Sequence, residues 1–132
     1  MSIPVAFNTQ LDKFLDELIQ TYPEDKDFAY YKRLIDQLKR FNVRKPIEYF
    51  ASVMQKHVVQ IQARDSDFFF NNVNHLITSE TDDSSNQNEA FRLFTNIKKY
   101  WSEMPDDNKK VIWDYLNVLT KLSVAYLVQN TK

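Results

Sequence analysis

The chain contains no cysteine and no glycine. The first absence excludes disulfide scaffolds, thiol nucleophiles and thiolate zinc sites together. The second removes phosphate-cradling glycine loops and most tight hairpins, because only glycine takes a positive φ without strain. At average usage, 132 residues would include roughly nine glycines. An excess charge of one sign is lacking too: 17 basic and 18 acidic residues leave a net charge of −1, so there is no global polyanion-binding footprint. Long hydrophobic runs are missing as well. The densest, Phe68-Phe69-Phe70 and Val124 to Val128, fall far short of the roughly 20 residues a bilayer span needs. The opening Met1-Ser2-Ile3-Pro4-Val5-Ala6 has neither the basic region nor the apolar core of a secretory signal. Ser2 stands where myristoyl transfer needs glycine. These features predict a soluble intracellular protein with no membrane partner.

What is present is apolar mass at helical spacing. With 43% hydrophobic residues, including 10 Phe, 7 Tyr and 2 Trp, the chain can bury a core as one domain. A first stripe runs from Phe7 through Leu11, Phe14, Leu15, Leu18 and Ile19 to Tyr22, with Asn8 or Thr9 as the N-cap, and Pro23 stops it. A second, Phe28, Tyr31, Leu34, Ile35, Leu38 and Phe41, ends on Lys39 and Arg40, where the helix dipole favours cations. Pro46 opens a third, which carries Ile47, Phe50, Ala51, Met54, Val58 and Ile61. Asp65-Ser66-Asp67 then caps a short aromatic-rich helix holding Phe68, Phe69 and Phe70.

From Thr78 to Asn88 there is no apolar residue, so burial cannot offset the entropy of ordering that stretch. The sequence predicts a disordered acidic loop over 78–88. A fourth long helix follows over about 89–102, with Ala90, Phe91, Phe94, Ile97 and Trp101 on one side. The last, about 106–128, is apolar around more than half its circumference, and its polar remainder is the line Lys110, Asp114, Asn117 and Lys121. The expected fold is all-α: a single-domain bundle of four long helices plus the short aromatic-rich one, with the C-terminal helix central.

Chemistry-bearing constellations are scarce. His57 flanks the third stripe and His75 follows the phenylalanines; with no cysteine and no helical His or Glu partner, they make no zinc site. Asp65-Ser66-Asp67 lacks the glycine and the terminal glutamate of a calcium loop. No nucleophile elbow is present. We therefore expect no catalytic residue, no metal and no cofactor. Surface chemistry remains. Trp113 and Val124 lie beside the polar line of the last helix, and Trp101 and Phe70 add aromatic anchors of the kind interfaces use. Lys39, Arg40, Arg44 and Lys45 cluster across one interhelical turn and could contact phosphates.

Taken together, Tyr22-Pro23-Glu24, Asp65-x-Asp67-Phe68-Phe69, Trp101-Ser102-Glu103-Met104 and Asn108-Lys109-Lys110-Val111-Ile112-Trp113-Asp114-Tyr115-Leu116 form a pattern that resembles small helical proteins encoded by large nucleocytoplasmic DNA viruses of algae and protists. The resemblance implies a viral protein acting inside the host cell, in the cytoplasm, nucleus or virion, and brings no catalytic residue with it. The leading expectation is a non-enzymatic protein-binding module that engages host or viral machinery. The alternatives are a nucleic-acid-binding accessory protein using the basic turn, and a structural subunit that self-associates.

Overall fold

The computed structural model describes residues 2–79 and 86–130, with side chains described for all of these except 74–79 and 86–88. The chain is an all-α bundle, and no strand occurs among the described residues. In order, the elements are α1 (Ile3–Thr21), α2 (Lys26–Phe41), α3 (Lys45–Met54), a 3-10 turn (Gln55–His57), α4 (Val58–Gln62), α5 (Ser66–Ser79), α6 (Asn86–Phe91), α7 (Leu93–Trp101) and α8 (Asp106–Asn130).

Helix starts follow local chemistry. α1 begins earlier than its apolar stripe suggests, because Ser2 Oγ accepts the Val5 N–H at 3.2 Å and Pro4 presets the first turn. Asn8 is therefore no cap. It is buried, and its Nδ2 donates to the Val43 carbonyl at 2.9 Å, tying α1 to the α2–α3 turn. Asp25 caps α2 by accepting the Asp27 N–H, and Asp65 caps α5 by accepting the Phe68 N–H.

The third stripe is not one helix. It tightens into the 3-10 turn at Gln55–His57, where His57 packs its ring 5.3 Å from that of Phe68, and resumes as α4. The fourth stripe is likewise divided, into α6 and α7 at Arg92. The aromatic-rich helix is longer than expected, since α5 runs through Ser79, and α6 begins at Asn86. Helix thus covers both ends of the expected 78–88 loop, and residues 80–85 lie outside the described residues.

One continuous core joins these elements. The C-terminal helix meets α1, α3 and α4, as a central helix should. α3 is the more enclosed of the two: seven of its ten residues are buried, and it meets α1, α2, α5 and α8. α8 turns Ile112, Trp113, Leu116, Leu119, Thr120, Ser123 and Tyr126 inward, while Val111, Val118 and Val124 stay exposed. By length and composition α8 is long and apolar enough to cross a membrane, which corrects the expectation that no stretch of the chain reaches that length. Core helices share that property, and the inward face of α8 forms part of this core.

A chain without glycine must still end its helices. After α4, the Asp65 N–H reaches the Gln60 carbonyl at 3.0 Å and the Arg64 N–H reaches that of Ile61 at 3.1 Å, a Schellman closure. Arg64 itself holds φ 57, a left-handed position that usually falls to glycine. Its guanidinium bonds Asp114 of α8 at 2.6 Å, so the strained residue also clips the turn to the bundle. In urea denaturation Arg64→Val should cost about 1–2 kcal/mol, because a β-branched residue tolerates that φ poorly. Arg64→Gly should be near neutral, relief of strain offsetting loss of an exposed ion pair. Equal effects of the two substitutions would show that the backbone stores no strain there.

Candidate functional site

The sequence singles out two groups of residues, and the structure treats them differently. Trp113, expected as a surface anchor, is 4% exposed, and Phe70 is 5% exposed. Neither can anchor a partner from the surface, which corrects that expectation. Elements distant in sequence cover them: Phe69 of α5 meets Trp113 edge-on at 5.8 Å, and Trp101 at the end of α7 meets Trp113 at 6.0 Å and 90°. Phe70 lies 4.5 Å from the Trp101 ring. Trp101 is half-buried, and Lys109 Nζ sits 5.3 Å over its ring. These aromatics form one cluster that locks α5 and α7 onto α8. Val124 alone of the expected anchors is an exposed side chain.

The exposed face of α8 has a pattern of its own. Val111, Tyr115, Val118, Leu122 and Ala125 follow one another at steps of 4, 3, 4 and 3 residues, the 3.5-residue period of a helix–helix seam. Val111 and Val118 are 38% and 39% exposed, Tyr115 and Leu122 are half-buried, and Ala125 is exposed. Tyr115 stacks on Phe14 of α1 at 5.1 Å, so the seam runs beside the α1–α8 contact. Asp114, on an adjoining line, is engaged by Lys110 at 2.8 Å and by Arg64, and both cations hold its carboxyl below the usual carboxylate range.

The basic turn divides as well. Lys39 is not available to a phosphate: its ammonium contacts Asp12 at 2.6 Å and Asp36 at 3.2 Å. Arg40, Arg44 and Lys45 form no ion pair among the described residues, and Phe41 between them is 82% exposed.

Periodicity alone gives no sign of a polar cluster at the other end of the bundle. The Asp25 side chain is 8% exposed. Besides capping α2, its carboxylate accepts the Tyr100 hydroxyl and the Asn96 amide at 3.1 Å, with Lys99 Nζ at 3.4 Å. Tyr22 stacks on Tyr100 with ring centroids 4.1 Å apart. Burial alone would raise the Asp25 carboxyl. The Tyr100, Asp27 N–H and Asn96 hydrogen bonds and the Lys99 charge outweigh it and hold the carboxyl below its ordinary 3.8. The same hydrogen bond, with burial, pushes the Tyr100 hydroxyl up to about 12. A groove of about 710 Å³ lies beside this cluster, lined in part by Tyr22, Pro23, Lys26, Lys99 and Tyr100. The carboxylate facing it is already saturated with donors, and neither Asp25 nor Tyr100 is tuned to exchange a proton near neutral pH. The arrangement is an anchor between the α1–α2 turn and α7.

Two expectations follow. Trp113→Ala should lower unfolding free energy by about 3–5 kcal/mol, the cost of truncating a large buried aromatic; a loss under about 1 kcal/mol would return Trp113 to the surface. Tyr100, raised in the folded state from 10.0 to about 12, contributes stability that is complete below pH 10 and is lost as pH climbs toward 12. The difference in unfolding midpoint between the wild type and Tyr100→Phe should shrink across that window. A pH-independent difference would mean that the hydroxyl does not hold Asp25.

Comparisons with family models, with curated proteins and with solved structures gave no match.

Proposed function

We propose that the protein is a non-enzymatic interaction module that binds an amphipathic helix of a partner protein along the outer seam of α8. One observation carries the reading: Val111, Tyr115, Val118, Leu122 and Ala125 repeat at coiled-coil spacing on a 25-residue helix whose opposite face is already committed to the core. Tyr115 and Leu122 also pack against the core, but Val111, Val118 and Ala125 stay exposed along the line, and a second helix could seat apolar side chains between these positions. Val124 is exposed too, but it lies about a third of a turn around α8 from Val118 and stands outside the seam. The motif Ile112-Trp113-x-Tyr115-Leu116, with its likeness to proteins of large DNA viruses, supports placing this activity in an infected cell, with host or viral machinery as the partner. The state of Asp25 and Tyr100 supports a binding role over catalysis, since the most connected polar cluster is tuned for holding and not for proton transfer.

The test is affinity isolation with nuclease treatment, comparing wild type with Val118→Glu. Because Val118 is exposed, the variant should unfold within about 0.5 kcal/mol of wild type. The reading expects a stoichiometric protein partner that survives nuclease, is lost with Val118→Glu and cross-links to the α8 seam. A partner retained undiminished by Val118→Glu would overturn it, as would recovery of nucleic acid alone. Sedimentation of the purified protein separates a foreign partner from a second copy: a dimer abolished by Val118→Glu would make the seam a self-association surface.

A further inference from the structure

The end of the bundle formed by the α2–α3 turn, the first turns of α1 and the last turns of α8 combines exposed apolar groups with cations that pair with no carboxylate among the described residues. Phe41, the last residue of α2, is 82% exposed, and Val43 and Val5 are also exposed. The bond from Asn8 to the Val43 carbonyl holds the first turns of α1 against this turn, so Val5, Phe41 and Val43 belong to one end. Arg40, Arg44 and Lys45 surround them, with no ion pair among the described residues. Asp12 and Asp36 hold Lys39, and Glu48, which accepts the Tyr126 hydroxyl at 2.7 Å, forms no ion pair with these cations among the described residues.

We infer that this end is a peripheral docking site for an anionic lipid surface. The argument is one of complementarity. Free cations around a turn call for an anionic partner, and apolar side chains at its tip call for a medium that removes them from water. A bilayer interface rich in anionic headgroups offers both at once. A nucleic acid offers only half of this, because Phe41 could stack on a base whereas Val5 and Val43 would gain nothing. An exposed Phe is also costly to leave in water, and nothing in the fold requires Phe41 at this position: the helix stripe it terminates is already closed by Leu38. Such attachment needs neither a spanning helix nor a lipid chain.

The test is flotation of the full-length protein with vesicles of phosphatidylcholine, with and without phosphatidylserine, at low and high salt. Binding should appear only with phosphatidylserine and weaken as salt rises. Arg40→Gln and Arg44→Gln should each reduce it about fivefold, and Phe41→Ser roughly tenfold, with thermal unfolding unchanged because all three side chains are exposed. Absence of binding to phosphatidylserine vesicles at low salt would overturn the inference. Binding that Phe41→Ser leaves intact would do the same, as would binding to a labelled single-stranded oligonucleotide in place of the vesicles. Val118→Glu should leave vesicle binding unaltered, which keeps this site separate from the α8 seam.

Discussion

Phe94 holds the bundle together. It is fully buried, and the rings of Phe14, Phe50, Phe69 and Phe91 each lie 6.2 Å from its own. These partners come from α1, α3, α5 and α6, and Phe94 belongs to α7, so one side chain fixes the mutual position of five helices. Aromatic pairs add roughly 0.5–1.5 kcal/mol each beyond area burial, and their edge and face preferences give direction to otherwise nonspecific packing. With no disulfide available, that directionality supplies much of the specificity. It also determines the surface. Phe69 continues from Phe94 to Trp113, and Trp101 closes over the same indole, so the tryptophan of α8 is consumed by the core and the outer seam is left to Val111, Val118 and Ala125 with the half-buried Tyr115 and Leu122.

Polar interactions secure the ends of this aromatic centre. At one end Asp25 gathers the α2 cap, Asn96, Lys99 and Tyr100 into a single network. Such a network is costly if half-made and rigid if complete, and here the carboxylate is complete. At the other end the free charges face solvent and the aromatic residue points away from the core. The contrast separates a closed end, which stabilises, from an open end and an open helix face, which present exposed apolar groups.

Much of the fold was legible from spacing. The α1 and α2 stripes, the Pro46 start of α3, the Asp65 cap and the all-α class follow from residue pattern and cap chemistry alone. Three features did not follow, for identifiable reasons. The Ser2 start of α1 precedes its first fully buried aromatic, so periodicity begins too late to show it. The break at Gln55–His57 leaves the apolar phase nearly intact, and a 3-10 turn is invisible to a pattern that tolerates steps of three and four. The orientation of α8 is the instructive case. A helix apolar on both sides has two candidate inner faces, and the inner one contains Thr120 and Ser123, whose polarity argues for the opposite choice. Trp113 reads as outward in the sequence because it lies beside the polar line Lys110, Asp114, Asn117 and Lys121. Its covering residues, Phe69 of α5 and Trp101 of α7, belong to other helices and lie beyond the reach of a helical wheel. The Asp25 cluster was half legible, as a cap, but Asn96 and Tyr100 join it only through tertiary packing.

The account rests on Trp113 being interior and the seam beside it exterior. Acrylamide quenching of a Trp101→Phe variant, in which Trp113 is the sole indole, tests this directly. Blue-shifted emission with little quenching in the native state, rising to full quenching in denaturant, is the predicted result. Red-shifted native emission that acrylamide quenches as readily as free tryptophan would contradict it, and α8 would then have to be turned so that its tryptophan, not its valines, faces outward.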